Sequence, residues 1–305
     1  MKYQKAIEKA RQEQALAGQA AIDGIAGPGE EEAVAPDSAA ASVSLDAPPV
    51  ASAAGAAQGG WRAPVYSASR RQDLNAAAAM EHRVCLGPDA AETEHYKVLR
   101  THLMQRMKPM GWKMVMVTSV RPGEGKSLTS VNLALEFAKS YNHTVLLVDC
   151  DLRQQSVYRY LGLPGERGVV DFLADGRELK DLIVWPGIDK LTVVSGGRTT
   201  GESVELLGSP RMRELMTELK ERYDDRFIII DAPPLLGGAD AMTLTPYVDA
   251  VVVVVASGGT PVKEIRSALE LVPQEKFMGF VLNKHASAGD GYYYRYYGRN
   301  GNGGK

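Results

Sequence analysis

Beyond about residue 113 the chain alternates short, unbroken apolar runs with longer stretches in which apolar positions recur every three or four residues. The runs cover residues 113–118, 144–148, 190–194, 227–230, 250–255 and 279–282. They are rich in Val, Ile and Leu, the pattern of strands buried on both faces. Helical periodicity covers 128–140, 210–223, 239–245 and 262–271, and a further helical stretch, 93–107, precedes the first run. This alternation predicts a doubly wound α/β fold with a mainly parallel sheet. Ligands in such sheets bind beyond the carboxyl ends of the strands. The segments after Thr118, Val148 and Ile230 are therefore expected to converge.

Before about residue 88 the pattern is missing. Stretches such as 35–57 and 76–79 are dominated by Ala, Gly, Ser and Pro. They offer too little apolar surface to offset chain entropy, so a disordered linker is expected. One short exception lies at 3–16, where Tyr3, Ile7, Ala10 and Leu16 fall on one helical stripe. That segment reads either as a weakly helical tail or as a docking helix. The expected organisation is a short helix plus linker over 1–88, one domain over 89–285, and a flexible tail over 286–305.

Lys and Arg total 35 against 37 Asp and Glu, a net charge of −2. This balance gives no footprint for nucleic acid or anionic lipid. Cys85 and Cys150 alone supply no disulfide framework and suit a reducing compartment. The longest apolar stretch, 250–256, is far too short to span a bilayer, and no signal-peptide pattern is visible. A cytoplasmic location is expected, with any recruitment to the inner face of the membrane made through a partner.

Residues 119–127 read Ser-Val-Arg-Pro-Gly-Glu-Gly-Lys-Ser between the first apolar run and a helical pattern. This is a phosphate-binding loop in its required context. The nucleotide contacts fall to Gly123, Glu124, Gly125, Lys126, Ser127 and Leu128. Lys126 is placed to reach the β/γ-phosphates and Ser127 to meet Mg²⁺, so ATP with magnesium is the expected cofactor. Two positions depart from the usual pattern. Val120 stands where the first Gly belongs, and Arg121 stands where partitioning and positioning ATPases carry a signature Lys. Arg121 could reach phosphate or be solvated. Three carboxylates, Asp149, Asp151 and Asp231, are expected at neighbouring strand ends. A lone Asp there is often a helix cap, but three acids beside a triphosphate require a cation, which Mg²⁺ supplies. Asn283 is a candidate adenine contact by analogy with P-loop relatives, or a turn residue.

After the last run, residues 292–297 read Tyr-Tyr-Tyr-Arg-Tyr-Tyr among Gly and Asn. An adhesive tail, a base-stacking segment and a row of phosphoacceptors all fit this composition.

Together these segments resemble the bacterial tyrosine autokinases of capsular and exopolysaccharide biosynthesis, whose cytoplasmic domain is a P-loop NTPase with deviant Walker motifs. Residues 119–127, 145–153 and 228–234 resemble that family's three nucleotide motifs. Residues 202–209 resemble its Glu-Leu-Leu-x-Ser segment. Residues 94–100 resemble its Glu-x-x-Arg-x-x-Arg helix, with Lys97 in place of the first Arg. The Ala-rich leader is similar to a subgroup associated with exosortase-linked loci. The resemblance implies an ATP-dependent protein-tyrosine autokinase that phosphorylates Tyr292, Tyr293, Tyr294, Tyr296 and Tyr297 and regulates polysaccharide polymerisation and export. It implies Asp149 as base or acceptor-orienting residue, with Asp151, Asp231 and Ser127 holding Mg²⁺; the order among the three acids stays open. Lys126 would neutralise charge on the transferring phosphoryl group. It implies a ring-like homo-oligomer built on Glu94, Lys97 and Arg100, for which a solvated charged face is the plain alternative. It further implies a transmembrane chain-length determinant on a separate chain and a cognate tyrosine phosphatase; no nucleic-acid partner is expected. The rivals are a ParA/MinD-like positioning ATPase, with water as acceptor, and a nucleotide-bound scaffold. Arg121 and the tyrosine cluster argue against the positioning ATPase.

Overall fold

The apolar runs become strands of a single eight-stranded sheet. The structure, a computed structural model, describes residues 69–87, 92–140, 143–165 and 167–285. The strands are β1 (Arg70–Arg71), β2 (Met114–Ser119), β3 (Thr144–Asp149), β4 (Val184–Trp185), β5 (Leu191–Val194), β6 (Arg226–Asp231), β7 (Ala250–Ala256) and β8 (Phe277–Asn283). They lie in the order β1-β4-β5-β3-β6-β2-β7-β8. Every pairing is parallel except β4 with β5. This is the doubly wound, mainly parallel sheet that the alternation predicts.

Side chains that alternate along each central strand feed two separate cores. Met114, Met116, Leu146, Val148, Ile228, Ile230, Val251 and Val253 face one layer. Val115, Val117, Val145, Leu147, Phe227, Ile229, Val252 and Val254 face the other. The second layer contains α2 (Thr93–Met107) and α3 (Lys126–Ala138), and Phe137 of α3 stacks on Phe227 at 4.2 Å between ring centroids. The first layer contains α5 (Val169–Asp175) and α7 (Pro210–Glu221). Helix α7 begins where Ser209 accepts the Met212 N–H and Pro210 occupies the first turn, a strong start signal. The remaining helices are α1 (Ala76–Glu81), α4 (Val157–Leu161), α6 (Ser203–Leu207), α8 (Asp240–Leu244) and α9 (Val262–Leu269). Among the described residues, no helix is long and apolar enough to cross a membrane.

The expected linker ends too late. Residues 69–87 contribute β1 and α1; Ala79 and Val84 join the second core, and Cys85 is buried. Small side chains permit this. At Gly162, which follows α4 with φ +61, an added Cβ would lie 3.2 Å from Ala78 Cβ and 2.7 Å from Asn75 Cβ. The Cys85 N–H also donates to Asn132 Oδ1 of α3 at 2.8 Å. The boundary at 88/89 is therefore misplaced, because alanines read as low complexity make a close helix contact. The 3–16 stripe and the tyrosine cluster at 292–297 lie outside the described residues.

Candidate active site

Six residues connect β2 to α3, and their backbone is shaped by two glycines with positive φ: Gly123 at +79° and Gly125 at +96°. That conformation is cheap only without a Cβ. The loop is fastened from three sides. The buried Glu124 carboxylate accepts the Arg121 N–H at 2.8 Å and a hydrogen bond from Thr260 Oγ1. Asn283 Nδ2 donates to the Glu124 carbonyl at 2.8 Å. Leu236 N–H donates to the Val120 carbonyl at 3.2 Å. Val120 itself is fully buried in the first core, which explains a branched residue where the pattern has Gly.

Lys126 opens α3 and points into the acids at the ends of β3 and β6. Its Nζ lies 2.8 Å from Asp151 Oδ2, 3.5 Å from Asp231 Oδ2 and 3.1 Å from Ser127 Oγ. Burial alone would lower its pKa, but the charges of Asp231 and Asp151 outweigh that and hold it above the ordinary lysine value. Asp231 is fully buried. Burial raises its pKa, while the charge of Lys126 and hydrogen bonds from Ser127 and Ser130 oppose the rise. Ser130 Oγ reaches Asp231 Oδ1 at 3.1 Å.

Asp149 is held differently. Its Oδ2 accepts the Ser156 and Val157 N–H groups at 2.9 and 3.1 Å, and its Oδ1 accepts the Asp151 N–H at 3.1 Å. It therefore caps the start of α4, the ordinary role that the motif argument sets aside, while also lying in the acid group. Burial first, and the charge of Asp231 second, push its pKa up to about 7. The buried thiol of Cys150, between the acids, is raised well above its usual range by burial.

The donor set fits Mg²⁺. Asp151 Oδ2 is buried, and Lys126 Nζ at 2.8 Å is its ionic partner. Ser127, Asp151 and Asp231 would supply the protein oxygens. Among the described residues no three His, Cys, Asp or Glu side chains gather to hold a metal unaided. Mg²⁺ does not need that, since it keeps several waters and takes one or two carboxylates together with phosphate oxygens.

Other expected residues lie elsewhere. Arg121 neither reaches into the loop nor stands free: its guanidinium forms a two-point ion pair with Glu264 of α9. Glu94 and Lys97 pair with each other on the exposed face of α2 at 3.1 Å. Arg100 donates to the Glu136 carbonyl at 2.8 Å, within this chain. Asp240 and Ser203, to which the sequence assigns no role of their own, bind Arg153. Nothing local marks them, because a lone Asp opening a helix reads as a cap.

The AAA domain family model matches residues 112–273. The tyrosine-protein kinase YwqD of Bacillus subtilis (strain 168) is 33% identical over 222 residues, covering 70% of this chain and 90% of that protein. The chain belongs to the bacterial tyrosine-protein kinase family. Solved structures agree with that placement. The kinase domain of Escherichia coli tyrosine kinase ETK superposes with a TM-score of 0.61 at 30% identity, covering 67% of this chain and 81% of that one. The chimerical protein CapA2B2 gives 0.60 at 26% identity, covering 73% and 95%. The fold is thus that of a P-loop NTPase adapted to tyrosine phosphorylation, and it places the phosphate loop and the three acids of this family member at one end of the sheet.

Proposed function

We propose that this chain transfers the γ-phosphoryl group of ATP, bound with Mg²⁺, to tyrosines of its own C-terminal cluster. The observation that carries the reading is Lys126, buried at the loop's end and held between Asp151 and Asp231. A phenol with a pKa near ~10 is a weak nucleophile at neutral pH. Asp149, raised to about 7, has a basicity suited to taking that proton as the bond to phosphorus forms. In the balanced step the tyrosine oxygen bonds to the γ-phosphorus and the bond to the β–γ bridging oxygen breaks. The proton passes to a carboxylate, and ADP leaves. Loop N–H groups and Lys126 offset charge on the transferring group, and Mg²⁺, when bound, neutralises the phosphate oxygens.

The acceptors are Tyr292, Tyr293, Tyr294, Tyr296 and Tyr297. The chain from His285 to Tyr297 can extend roughly 40 Å, enough to enter the site of a neighbouring copy. Each phosphotyrosine adds about −1.5 to −2 charge, which would drive the tail from an acidic cleft and loosen a ring built on Glu94, Lys97 and Arg100. In this reading a transmembrane chain-length determinant recruits the kinase to the cytoplasmic face of the membrane. A tyrosine phosphatase resets it, and polysaccharide polymerisation and export follow the phosphorylation cycle.

The test is incubation of the full chain with Mg-ATP, followed by mass-spectrometric mapping of phosphotyrosine. Label within 292–297 is expected, with none in Lys126→Met, while tail Tyr→Phe variants keep ATP binding. Phosphate released to water with no labelled tyrosine would favour a positioning ATPase instead.

A further inference from the structure

Three side chains from separate segments meet beside the acidic loop after β3. Arg153 ends the Asp149–Arg153 stretch, Ser203 opens α6, and Asp240 opens α8. Arg153 Nη2 lies 3.1 Å from Asp240 Oδ2. Arg153 Nε donates to Ser203 Oγ at 2.8 Å and to Asp240 Oδ1 at 3.3 Å. Ser203 Oγ donates in turn to Asp240 Oδ1. Asp240 is only 1% exposed and Ser203 is fully buried. A carboxylate removed from water in this way needs its counter-charge, and Arg153 supplies it.

The backbone is fitted to the same junction. Leu152, also buried, accepts the Thr200 N–H at 3.2 Å. Gly238 has φ +146, and a Cβ there would come within 3.1 Å of Asp240 Oδ2. The junction ties the segment after β3, which carries Asp151, to the segment after β6, which follows Asp231. The two acids that flank Lys126 are therefore held together twice. One tie is the β3–β6 pairing, and the other is this clasp beyond the strand ends.

We propose that Asp240 is a positioning residue for phosphotransfer. It fixes Arg153 and, through the Leu152–Arg153 backbone, sets the carboxylate of Asp151 against Lys126. The choice of assay rests on the kinase reading; the geometric claim does not. Lys cannot replace Arg153, because one ammonium does not reproduce a guanidinium shared between a carboxylate and a hydroxyl.

The experiment compares the full-length wild type with Asp240→Asn, Arg153→Lys, the double variant and Ser203→Ala. Three quantities are read: the Mg-ATP dissociation constant, the single-turnover rate of tyrosine labelling, and amide hydrogen exchange. Asp240→Asn is expected to slow labelling about tenfold to hundredfold, the scale of a small misplacement of reacting groups, with nucleotide affinity unchanged. Exchange should quicken at 150–156 but not at 121–127. The double variant should be no slower than the slower single one, as coupled residues require. A wild-type labelling rate in Asp240→Asn, or a loss of nucleotide affinity equal to the loss of rate, overturns the proposal. If Asp240→Asn does not fold, Ser203→Ala decides. It should slow labelling at constant nucleotide affinity, and a wild-type rate there overturns the proposal equally. A wild type that binds Mg-ATP yet labels no tyrosine overturns the kinase reading alone. Exchange at 150–156 then decides the clasp, and unchanged exchange refutes it.

Discussion

Asp149 and Asp231 stand directly opposite one another as the last register pair of β3 and β6. Both are buried, and neither can shed its charge into solvent. Lys126 reaches Asp231 and Asp151 from the adjoining helix, and its charge also acts on Asp149, so one cation serves three acids.

This arrangement fixes the sign of a pH effect. An ordinary aspartate titrates near ~3.9, whereas Asp149 in the folded chain titrates at about 7. Between those values the folded state binds a proton that the unfolded state has released. The resulting contribution to stability is fully present below about pH 4 and is lost as pH rises through about 7, with a limiting slope of about 1.4 kcal/mol per pH unit. Asp149→Asn should flatten the pH dependence of urea unfolding between about pH 5 and 7. Parallel slopes in the two proteins would refute the raised value.

Removing the cation should expose the cost of the acids. Lys126→Met leaves the buried carboxylates of Asp151 and Asp231 without their partner. The free protein should lose about 3 kcal/mol at neutral pH, and less at lower pH, where the acids can take up protons. Denaturant melts at two pH values measure this. A loss independent of pH would mean that the acids are not the source.

The two loop glycines should differ. An added Cβ at Gly125 would lie 2.1 Å from Asn283 Nδ2, whereas at Gly123 it would meet nothing within 4 Å. Both positions carry positive φ, costing an L-residue about 1–2 kcal/mol. Gly125→Ala should therefore destabilise the nucleotide-free chain more than Gly123→Ala does. Adding Asn283→Ala should recover part of the difference, and a strictly additive double-mutant cycle would remove Asn283 from the account.

Arg121 gives a simple contrast. Its pair with Glu264 is partly exposed, at 46% and 30% of the two side chains. Such pairs contribute about 0–1 kcal/mol. Arg121→Ala should change stability by no more than that and leave ATP affinity within about twofold. A tenfold loss of affinity, measured by nucleotide titration, would show that Arg121 exchanges Glu264 for phosphate.

Much of this site is legible in the chain because its parts are local. The phosphate loop needs contiguous residues, and strands buried on both faces announce themselves as unbroken apolar runs. The missed features depend on distance. β1 and β4 are two residues each, too short for any periodicity. Ala78 looks like filler until Gly162 is packed against it. Arg121 finds its acid 143 positions away, and Arg153 finds Asp240 87 positions away. The capping bonds of Asp149 reach seven and eight residues ahead, beyond the span in which a cap is read from sequence.

The sheet order also separates the two flanking segments. Residues before Ser69 join the fold at β1, and those after His285 depart from β8, at the opposite margin. Seven inter-strand spacings of about 4.8 Å put these attachment points roughly 34 Å apart. Under the proposed function, a partner bound before Ser69 and phosphotransfer beyond His285 would act at opposite edges of the sheet, so neither would stand in the other's way.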